Sequence, residues 1–401
     1  MTRRIDAVTS PRLSVLFLTP WYPDDDHPAA GMFIQGHAEA VALYCDVQVL
    51  HITQSPAGKS MPIFVTKTEA GRGVRTCHVY YRVSRSLLWR VLSPNLVRGL
   101  MAAWVGLRSL GNQRFDLLHA NIAFPASLQA LLLSTLKGIP YVVTEQYSGY
   151  LPEHGAVRGI RLKLLTRLGL SRASAITTVS RALADAMRAL GLPGKYEVIP
   201  NIAEPAPPPT PNDERNPDLI RFVHVSLLND AEKNVSGILR CIRKLADRRQ
   251  DFRLHIVGSG PSEAALRSLA SQLRLDSHVV FEGLMEHREL IALLPSFAFL
   301  VMFSNFETFC AAAAEAIAAG IPVICTRVGG PMEYIGPEQG ILVPPRDEEA
   351  LLASIESMLE SYKDFDREAL RAHAGRRFSR VVVGRQFERL YRQVLDNEIP
   401  S

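Results

Sequence analysis

The chain of 401 residues has 45 Lys and Arg against 40 Asp and Glu, a formal net charge of +5, and 47% hydrophobic residues. Single hydrophobic cores stop growing near ~250 residues, so this length favours two domains. The longest apolar runs fall far short of the ~20 residues that a membrane-spanning helix needs, and the N-terminus lacks a small-residue cleavage site, which predicts a cytoplasmic protein. Five scattered cysteines without CxxC spacing predict reduced thiols and no cysteine metal site. The basic balance is compatible with nucleic acid, anionic lipid or a phosphorylated substrate, so charge alone does not choose among them.

Short apolar runs that alternate with helix-length segments are the predicted strands. In the first half they are SVLFLT, DVQVLHI, FDLLHA, YVVTE, AITTVS and YEVIP. A proline-rich stretch, residues 204–217, then predicts an extended connector. The second half repeats the rhythm with IRFVHVS, FRLHIVG, HVVFEG, FLVMF, IPVICT and GILVP. Continuous hydrophobicity is typical of parallel strands covered on both faces, so both halves predict doubly wound α/β domains.

The stretch SNFETFCAAAAEAIAAG, residues 304–320, places Glu307 and Glu315 eight residues apart. Ser304 is a predicted helix cap, and the alanine-rich run 310–319 predicts a helix with Glu307 in the loop before it and Glu315 inside it. At the helical rise the two carboxylates would be roughly 12 Å apart, which suits the sugar and the ribose of a nucleotide sugar. The diphosphate between them would face the helix N-terminus. An alanine-rich helix packed on a sheet, with a glutamate favoured by the helix dipole, explains the same spacing without function.

Two other motifs are weaker. The sequence GSGP supplies Gly258 and Gly260 but has Glu263 at the third glycine position of a dinucleotide fingerprint. It predicts either a tight turn near a phosphate or a turn with packing value only, and not an NAD site. The nearest candidate for a metal-binding carboxylate cluster, Asp24 to Asp26 with His27, is interpreted as a solvated loop, so no metal is expected.

The run from Glu307 through Glu315 to GIPVICT and GGPME resembles the signature of retaining glycosyltransferases of the two-Rossmann (GT-B) type, family 4, also called glycosyl transferases group 1. The resemblance covers nearly the whole chain. TPWYPDDDHPAAGMF is similar to the first βα loop of the family, VSRAL and VIPN to the end of its N-terminal domain, and GILVPPRDEEAL to a late element. The ending RFSRVVVGRQFERLYRQVL resembles the final helix that crosses back onto the N-terminal domain. The implied organisation is an acceptor domain at 1–204 with the helix 380–401, a linker at 205–217, and a donor domain at 218–379.

The resemblance also implies site residues. The implied donor-binding residues are Gly31, Ser226, Lys233, Gly258, Phe309, Cys310 and Glu315. The implied catalytic residues are Glu307, Lys233, Gln146 and His119. Glu307 is expected at the sugar hydroxyls, Glu315 at the ribose and Lys233 at the diphosphate, with the amides around Phe309 and Cys310 at the phosphate. Lys233 as a solvated charge and Gly31 as a turn glycine stay open as alternatives.

Four motifs depart from the family pattern. Ser226 and Leu227 stand where the family shows Gly-Arg, so the second cationic phosphate contact must come from elsewhere or be missing. The usual HaH is HAN, which retains His119 only. Gln146 occupies the histidine position of T-x-H, so it can donate a hydrogen bond there but cannot titrate. Cys310 stands where glycine is common, and its small side chain still permits close approach.

The implied function is transfer of a sugar from a nucleoside diphosphate sugar to a saccharide or lipid-linked acceptor with retention of configuration. Cell-surface polysaccharide or glycolipid biosynthesis is the expected setting, with no cofactor and no metal. A two-domain nucleotide-sugar epimerase or phosphorylase shares the architecture, although no motif for a lysine-bound pyridoxal phosphate is visible. A non-catalytic binding protein for sugar nucleotides or nucleic acid is the alternative from another class. We expect no nucleic acid partner.

Basic residues are concentrated in two segments of the N-terminal half. They are Arg85, Arg90, Arg98, Arg108 and Arg114, interleaved with Trp89 and Trp104, and then Arg158, Arg161, Lys163, Arg167 and Arg172. A cationic amphipathic surface suits an anionic membrane that carries a lipid-linked acceptor, which predicts a peripheral location at the inner face of the membrane. The alternative is ordinary helices packed on the sheet with solvated arginines outside.

Overall fold

A computed structural model describes residues 11–24, 26–27, 30–55, 64–71, 73–82, 94–111, 113–205 and 219–398. The predicted linker, apart from its first residue, lies outside these ranges, as do Arg85, Trp89 and Arg90. The described residues form two α/β units, each with its own sheet.

The sheet of the first unit has eight described strands. They are β1 (Ser14–Thr19), β2 (Asp46–Gln54), β3 (Phe64–Gly71), β4 (Val74–Tyr81), β5 (Leu117–Asn121), β6 (Tyr141–Glu145), β7 (Ala175–Thr178) and β8 (Tyr196–Val198). The order is β3-β4-β2-β1-β5-β6-β7-β8, and all neighbours are parallel except β3 and β4. The six predicted strands are confirmed. Strands β3 and β4 were not predicted because apolar and polar residues are mixed along them. Strand β3 lies at the edge of the sheet, and β4 lies between β3 and β2.

The helices of the first unit lie between these strands. They are α1 (Met32–Val41), α2 (Pro94–Ser109), α3 (Ala123–Lys137), α4 (Ile160–Leu170) and α5 (Arg181–Ala189). Because each parallel connection must return the chain to the same end of the sheet, the loops after the strands gather at one edge. Gly31 lies in the connection between β1 and α1, His119 lies within β5, and Gln146 directly follows β6.

The second unit is a parallel sheet of six described strands in the order β11-β10-β9-β12-β13-β14. Its strands are β9 (Ile220–Val225), β10 (Phe252–Val257), β11 (Val279–Gly283), β12 (Leu300–Met302), β13 (Val323–Thr326) and β14 (Gly340–Val343). Its helices are α6 (Asp230–Lys233), α7 (Val235–Ala246), α8 (Glu263–Gln272), α9 (His287–Leu293), α10 (Ala311–Ala318), α11 (Glu348–Ser361) and α12 (Arg367–Phe378). All six predicted strands are confirmed.

The last helix, α13 (Arg380–Glu398), packs on the first unit. Phe387 and Tyr391 are fully buried in the same core cluster as Phe17 of β1. The Tyr44 hydroxyl donates to the carbonyl oxygen of Val381 at 3.1 Å. A fully buried large apolar side chain contributes roughly 1.5–3 kcal/mol relative to an exposed one, so these contacts hold the helix in place. The predicted return of the final helix to the N-terminal domain is confirmed.

Candidate active site

Glu307 and Lys233 form an ion pair at the carboxyl edge of the second sheet. Lys233 Nζ donates to Glu307 Oε1 at 2.7 Å, and the two side chains are only 18% and 10% exposed. Burial alone lowers the pKa of Lys233, but the neighbouring carboxylate of Glu307 outweighs it and the pKa is raised. The lysine is therefore charged at neutral pH. An ammonium has three donors and Glu307 takes one, so the others are available to an anionic ligand.

The predicted role of Ser304 as a helix cap is wrong. Helix α10 begins at Ala311 with Cys310 as its N-cap, and Ser304 Oγ instead donates to Glu307 Oε1 at 2.8 Å. The chain between them stays a loop because Asn305 is tied to α6. Its backbone N–H donates to the carbonyl oxygen of Glu232 at 2.7 Å, and its side chain donates to that of Ala231 at 2.9 Å. The loop before α10 is thus fixed against the helix that carries Lys233.

The N-terminus of α10 is shaped by Cys310, which has φ 63° and ψ 74°. This left-handed conformation is strained for a residue with a side chain, which is the physical reason that glycine suits the position. The Tyr334 hydroxyl lies 2.8 Å from the carbonyl oxygen of Phe309 and 2.9 Å from that of Cys310. The side chains of Phe309 and Cys310 are buried, so it is their backbone that a ligand at this helix terminus would meet.

The two glycines after β13 lie directly against this loop. A Cβ atom on Gly329 would overlap the carbonyl oxygen of Glu307, and one on Gly330 would overlap that of Thr308. Gly329 also has φ +45°, which side chains rarely adopt. The backbone at Glu307 and Thr308 is therefore in close contact with two positions at which only glycine fits.

Glu315 lies inside α10, as predicted, and has a partner that the sequence did not reveal. His287, the first residue of α9, places Nε2 2.8 Å from Glu315 Oε1. This hydrogen bond raises the pKa of His287 above its ordinary value, against the effect of burial. The imidazole therefore orients the carboxylate that the resemblance assigns to the ribose.

Ser226 lies beyond the end of β9 and is engaged by a buried histidine. His224 Nδ1 lies 2.9 Å from the carbonyl oxygen of Val301, so Nδ1 carries the proton and donates. Burial lowers the pKa of His224 to about 4, so its Nε2 is unprotonated and accepts from Ser226 Oγ at 2.7 Å. In this arrangement Ser226 has no hydroxyl proton left for a phosphate.

The loops after β9 and β10 are joined by backbone hydrogen bonds. Leu228 N donates to the carbonyl oxygen of Ser259 at 3.0 Å, and Ser226 N to that of Val257 at 3.1 Å. Gly258 N in turn donates to the carbonyl oxygen of Gly283 at 2.8 Å. Gly258 therefore lies beside Ser226, and Leu227, in the loop after β9, is exposed.

On the N-terminal side, Gly31 is the N-cap of α1 with φ 67°, and a side chain there would overlap the carbonyl oxygen of Trp21. The interpretation as a turn glycine is thus sufficient for the fold. Gln146 is almost wholly buried, and its Nε2 lies 3.4 Å from His37 Nδ1. Gln146 Oε1 is buried without a hydrogen-bond partner among the described residues.

The predicted catalytic role of His119 has no support in the geometry. The side chain is 0% exposed, with Nδ1 2.6 Å from the Tyr391 hydroxyl and Nε2 2.6 Å from Thr144 Oγ1. Burial lowers its pKa well below the ordinary value. Both ring nitrogens are occupied within the core, because α13 returns to cover this edge of the sheet. His119, a residue of β5, thus joins the last helix to β6 inside the core.

Within the described ranges, no group of three or more His, Cys, Asp and Glu side chains is arranged to hold a metal ion. Asp24, the first carboxylate of the predicted solvated loop, accepts from the backbone N–H of His27 at 2.7 Å and from Tyr80 Oη at 3.3 Å. No described helix is long and apolar enough to cross a bilayer.

Comparisons with known proteins agree with this architecture. Residues 35–202 match the family described as glycosyl transferase 4-like domain, and residues 213–376 match glycosyl transferases group 1. The fold is similar to sucrose-phosphate synthase from Thermosynechococcus elongatus, with TM-score 0.73 and 20% identity over 96% of this chain and all of that one. It is also similar to HepE from Anabaena in complex with UDP and glucose, with TM-score 0.72 and 17% identity over 95% of this chain and all of that one. These likenesses define a GT-B fold.

A relative by sequence points the same way. Glycogen synthase from Mycobacterium tuberculosis is 25% identical over 330 residues, 78% of each chain. Together with the two family matches, this shows that the chain belongs to the GT-B glycosyltransferases of family 4. It is a glycosyltransferase.

Proposed function

We propose that this glycosyltransferase moves a sugar from a nucleoside diphosphate sugar to a saccharide or lipid-linked acceptor with retention of anomeric configuration. The observation that carries the proposal is the ion pair of Lys233 with Glu307 beside the N-terminus of α10, with Glu315 held by His287 further along that helix. A cation and a helix terminus suit a diphosphate, and carboxylates suit sugar and ribose hydroxyls on either side of it. The structure of HepE with UDP and glucose supports this donor class by analogy.

The chemistry follows from where charge develops. Positive charge grows on the anomeric carbon of the transferred sugar while negative charge grows on the departing phosphate, so the protein must stabilise the diphosphate. Lys233 and the α10 N-terminus supply that stabilisation from this chain's own groups. A glycosidase layout does not fit, because Glu315 is bonded to His287 and assigned to the ribose, away from the sugar bond. We therefore propose front-face displacement in which the leaving phosphate helps to deprotonate the acceptor.

The test begins with binding and proceeds to turnover. UDP, GDP, ADP and their common sugar conjugates are screened for a rise in Tm, and the best donor is incubated with saccharide acceptors while released nucleoside diphosphate is measured. Proton NMR of the product reports the anomeric configuration. Tight nucleotide binding without transfer or donor hydrolysis would favour the non-catalytic alternative. A changed sugar that remains attached to the nucleotide would favour an epimerase.

We further propose that transfer needs no metal ion, since Lys233 and the helix terminus can carry the phosphate charge. Turnover in EDTA should equal turnover in buffer. Complete loss in EDTA, restored by manganese, would overturn this point while leaving the glycosyltransferase assignment intact.

We also propose a peripheral location at the inner face of an anionic membrane, in cell-surface polysaccharide or glycolipid biosynthesis. On α2, Trp104 is flanked by the Arg108 guanidinium at 5.1 Å and the Lys137 ammonium at 5.6 Å from its ring. A cationic surface with an aromatic side chain suits anionic headgroups. The protein should cosediment with anionic vesicles, less with neutral ones, and be released as salt rises. Replacement of Arg90, Arg98 and Arg108 by glutamine should abolish cosedimentation without affecting transfer to a soluble acceptor.

A further inference from the structure

The N-terminus of α5 is completed by a carboxylate from the other domain. The first four N–H groups of a helix lack partners within the helix. At the start of α5, Ser180 Oγ accepts from Leu183 N at 3.2 Å, and the Ser180 carbonyl oxygen accepts from Ala184 N at 3.3 Å. The first two, Arg181 N and Ala182 N, donate to Glu333 Oε2 and Oε1, each at 3.0 Å. Glu333 thus supplies a bidentate anionic cap across the boundary between the domains.

Glu333 belongs to the segment that supports the active-site loop. It ends the 3-10 turn Gly330–Glu333, which begins next to Gly329. Gly329 and Gly330 pack against the backbone of Glu307 and Thr308, and Tyr334 bonds the carbonyl oxygens that precede α10. The segment that ends at Glu333 and Tyr334 is therefore in direct contact with the loop that carries Glu307.

A second contact between the domains is made by the loop itself. The ring of His154, in the segment between β6 and α4, lies 5.2 Å from the ring of Phe306, the residue before Glu307. The first domain therefore contacts the active-site loop directly through Phe306 and the segment that supports the loop through Glu333. The contact through Phe306 is an aromatic packing contact, whereas the one through Glu333 is polar and charge-assisted.

We infer that Glu333 is a positioning residue that holds the two domains closed over the active site. Its carboxylate and the α5 N–H groups belong to different domains, so the two hydrogen bonds exist when the domains meet here and are lost when they separate. A contact present in one state only shifts the equilibrium toward that state. The choice of substrate in the kinetic test rests on the proposed function, whereas the closure itself can be measured on the protein alone.

Two pairs of variants isolate this contact. Glu333→Gln removes the charge and one acceptor, and Glu338→Gln removes an exposed carboxylate five residues further along the same segment as its control. Arg181→Pro deletes the Arg181 N–H from the other side. Proline is favoured at the first position of a helix, and Ser180 before it is already extended with φ −153° and ψ 160°, so the fold tolerates it. Arg181→Ala keeps the N–H and controls for the lost side chain.

Small-angle scattering of the substrate-free protein gives the first readout. Glu333→Gln and Arg181→Pro should increase the radius of gyration, whereas Glu338→Gln and Arg181→Ala should match the parent. The double variant Glu333→Gln/Arg181→Pro should show no more than the larger single effect, because both changes break the same contact. If Glu333→Gln and Arg181→Pro both have the radius of gyration of the parent, the inference is overturned, whether or not the enzyme proves to use a nucleotide sugar.

Kinetics give the second readout. With the best donor from the screen, Glu333→Gln should lower kcat for transfer about tenfold while the Kd for the nucleoside diphosphate, measured by calorimetry, changes less than about twofold, since Lys233 and Glu315, the side chains proposed to bind the diphosphate and the ribose, lie in the second domain. A large rise in Kd with unchanged kcat would instead make Glu333 a ligand-binding residue. A lower Tm with unchanged kcat and KM would make it an ordinary helix cap. Either of those results contradicts the inference.

Discussion

The Lys233 ammonium donates to Glu307 Oε1 at 2.7 Å, which joins two residues that lie 74 positions apart in the chain. Ser304 Oγ donates to the same oxygen at 2.8 Å. Among the described residues, the hydrogen bonds of this carboxylate therefore fall on one oxygen, and the other is available to a sugar hydroxyl. The hydrogen bonds from Lys233 and Ser304 hold the cation and the acid in one arrangement, which lowers the cost of ordering these side chains when a ligand binds.

This arrangement predicts different defects for the two glutamates of the motif. Glu315→Ala should weaken nucleotide binding, because it removes the carboxylate assigned to the ribose. Glu307→Ala should mainly lower kcat, because it removes the one assigned to the sugar. Calorimetry with the nucleoside diphosphate and steady-state kinetics separate the effects, with Glu338→Ala as a control of equal charge change. Weaker nucleotide binding with unchanged turnover in Glu307→Ala would reject the assignment.

Lys233→Ala should reduce the affinity for the nucleoside diphosphate by ~1.5–3 kcal/mol, the range of a hydrogen bond to a charged group. Lys244→Ala, which removes an exposed lysine from the neighbouring helix α7, should leave the affinity unchanged. Titration calorimetry at a fixed salt concentration measures both. If Lys233→Ala binds the nucleotide as well as the parent does, the lysine serves the loop structure through Glu307 and does not contact the phosphate.

Strands were predicted correctly from the sequence where they are continuous runs of apolar residues. Runs such as YVVTE and IPVICT are buried on both faces and were recognised as strands, whereas FVTKTEAG of β3 mixes polar and apolar residues and was missed. Ser304 was misassigned because a serine after a strand has the composition of a cap, and only the tie of Asn305 to α6 delays the helix. Local pattern cannot show that tie, since it joins residues 74 positions apart.

In the candidate active site, too, contacts between residues far apart in the chain could not be predicted from local sequence pattern. Glu307 and Glu315 were predicted from their fixed spacing and Lys233 from the resemblance, and the structure pairs Lys233 with Glu307. His287 and Glu333 act through partners 28 and about 150 positions away, and neither has a local signal of that role. For His119, in the middle of β5, the resemblance implied a catalytic role, and the sequence has no local sign that Tyr391 of α13 packs against its ring.

Replacement of Cys310 should separate backbone strain from the packing of its thiol. Cys310→Gly relieves the left-handed conformation at φ 63°, whereas Cys310→Ala keeps that strain, and both lose the thiol. The glycine variant should therefore be more stable than the alanine variant by about 1 kcal/mol. Denaturant unfolding of both variants gives the difference. Equal stability of the two would show that the loop relaxes without cost.

The pair of His287 and Glu315 predicts a pH-dependent contribution to stability. The pKa of His287 is raised in the folded protein, chiefly by its hydrogen bond to Glu315, above an unfolded value near 6.5. The folded state therefore binds the proton more tightly, so the stabilisation is complete below about pH 6.5 and is lost as the pH rises through the folded pKa. The Tm of the parent should exceed that of His287→Gln at pH 6 and approach it at alkaline pH. In a Glu315→Gln background, His287→Gln should cause no such pH-dependent change in Tm. If the Tm difference between the parent and His287→Gln stays constant with pH, the imidazole is not protonated in this pair.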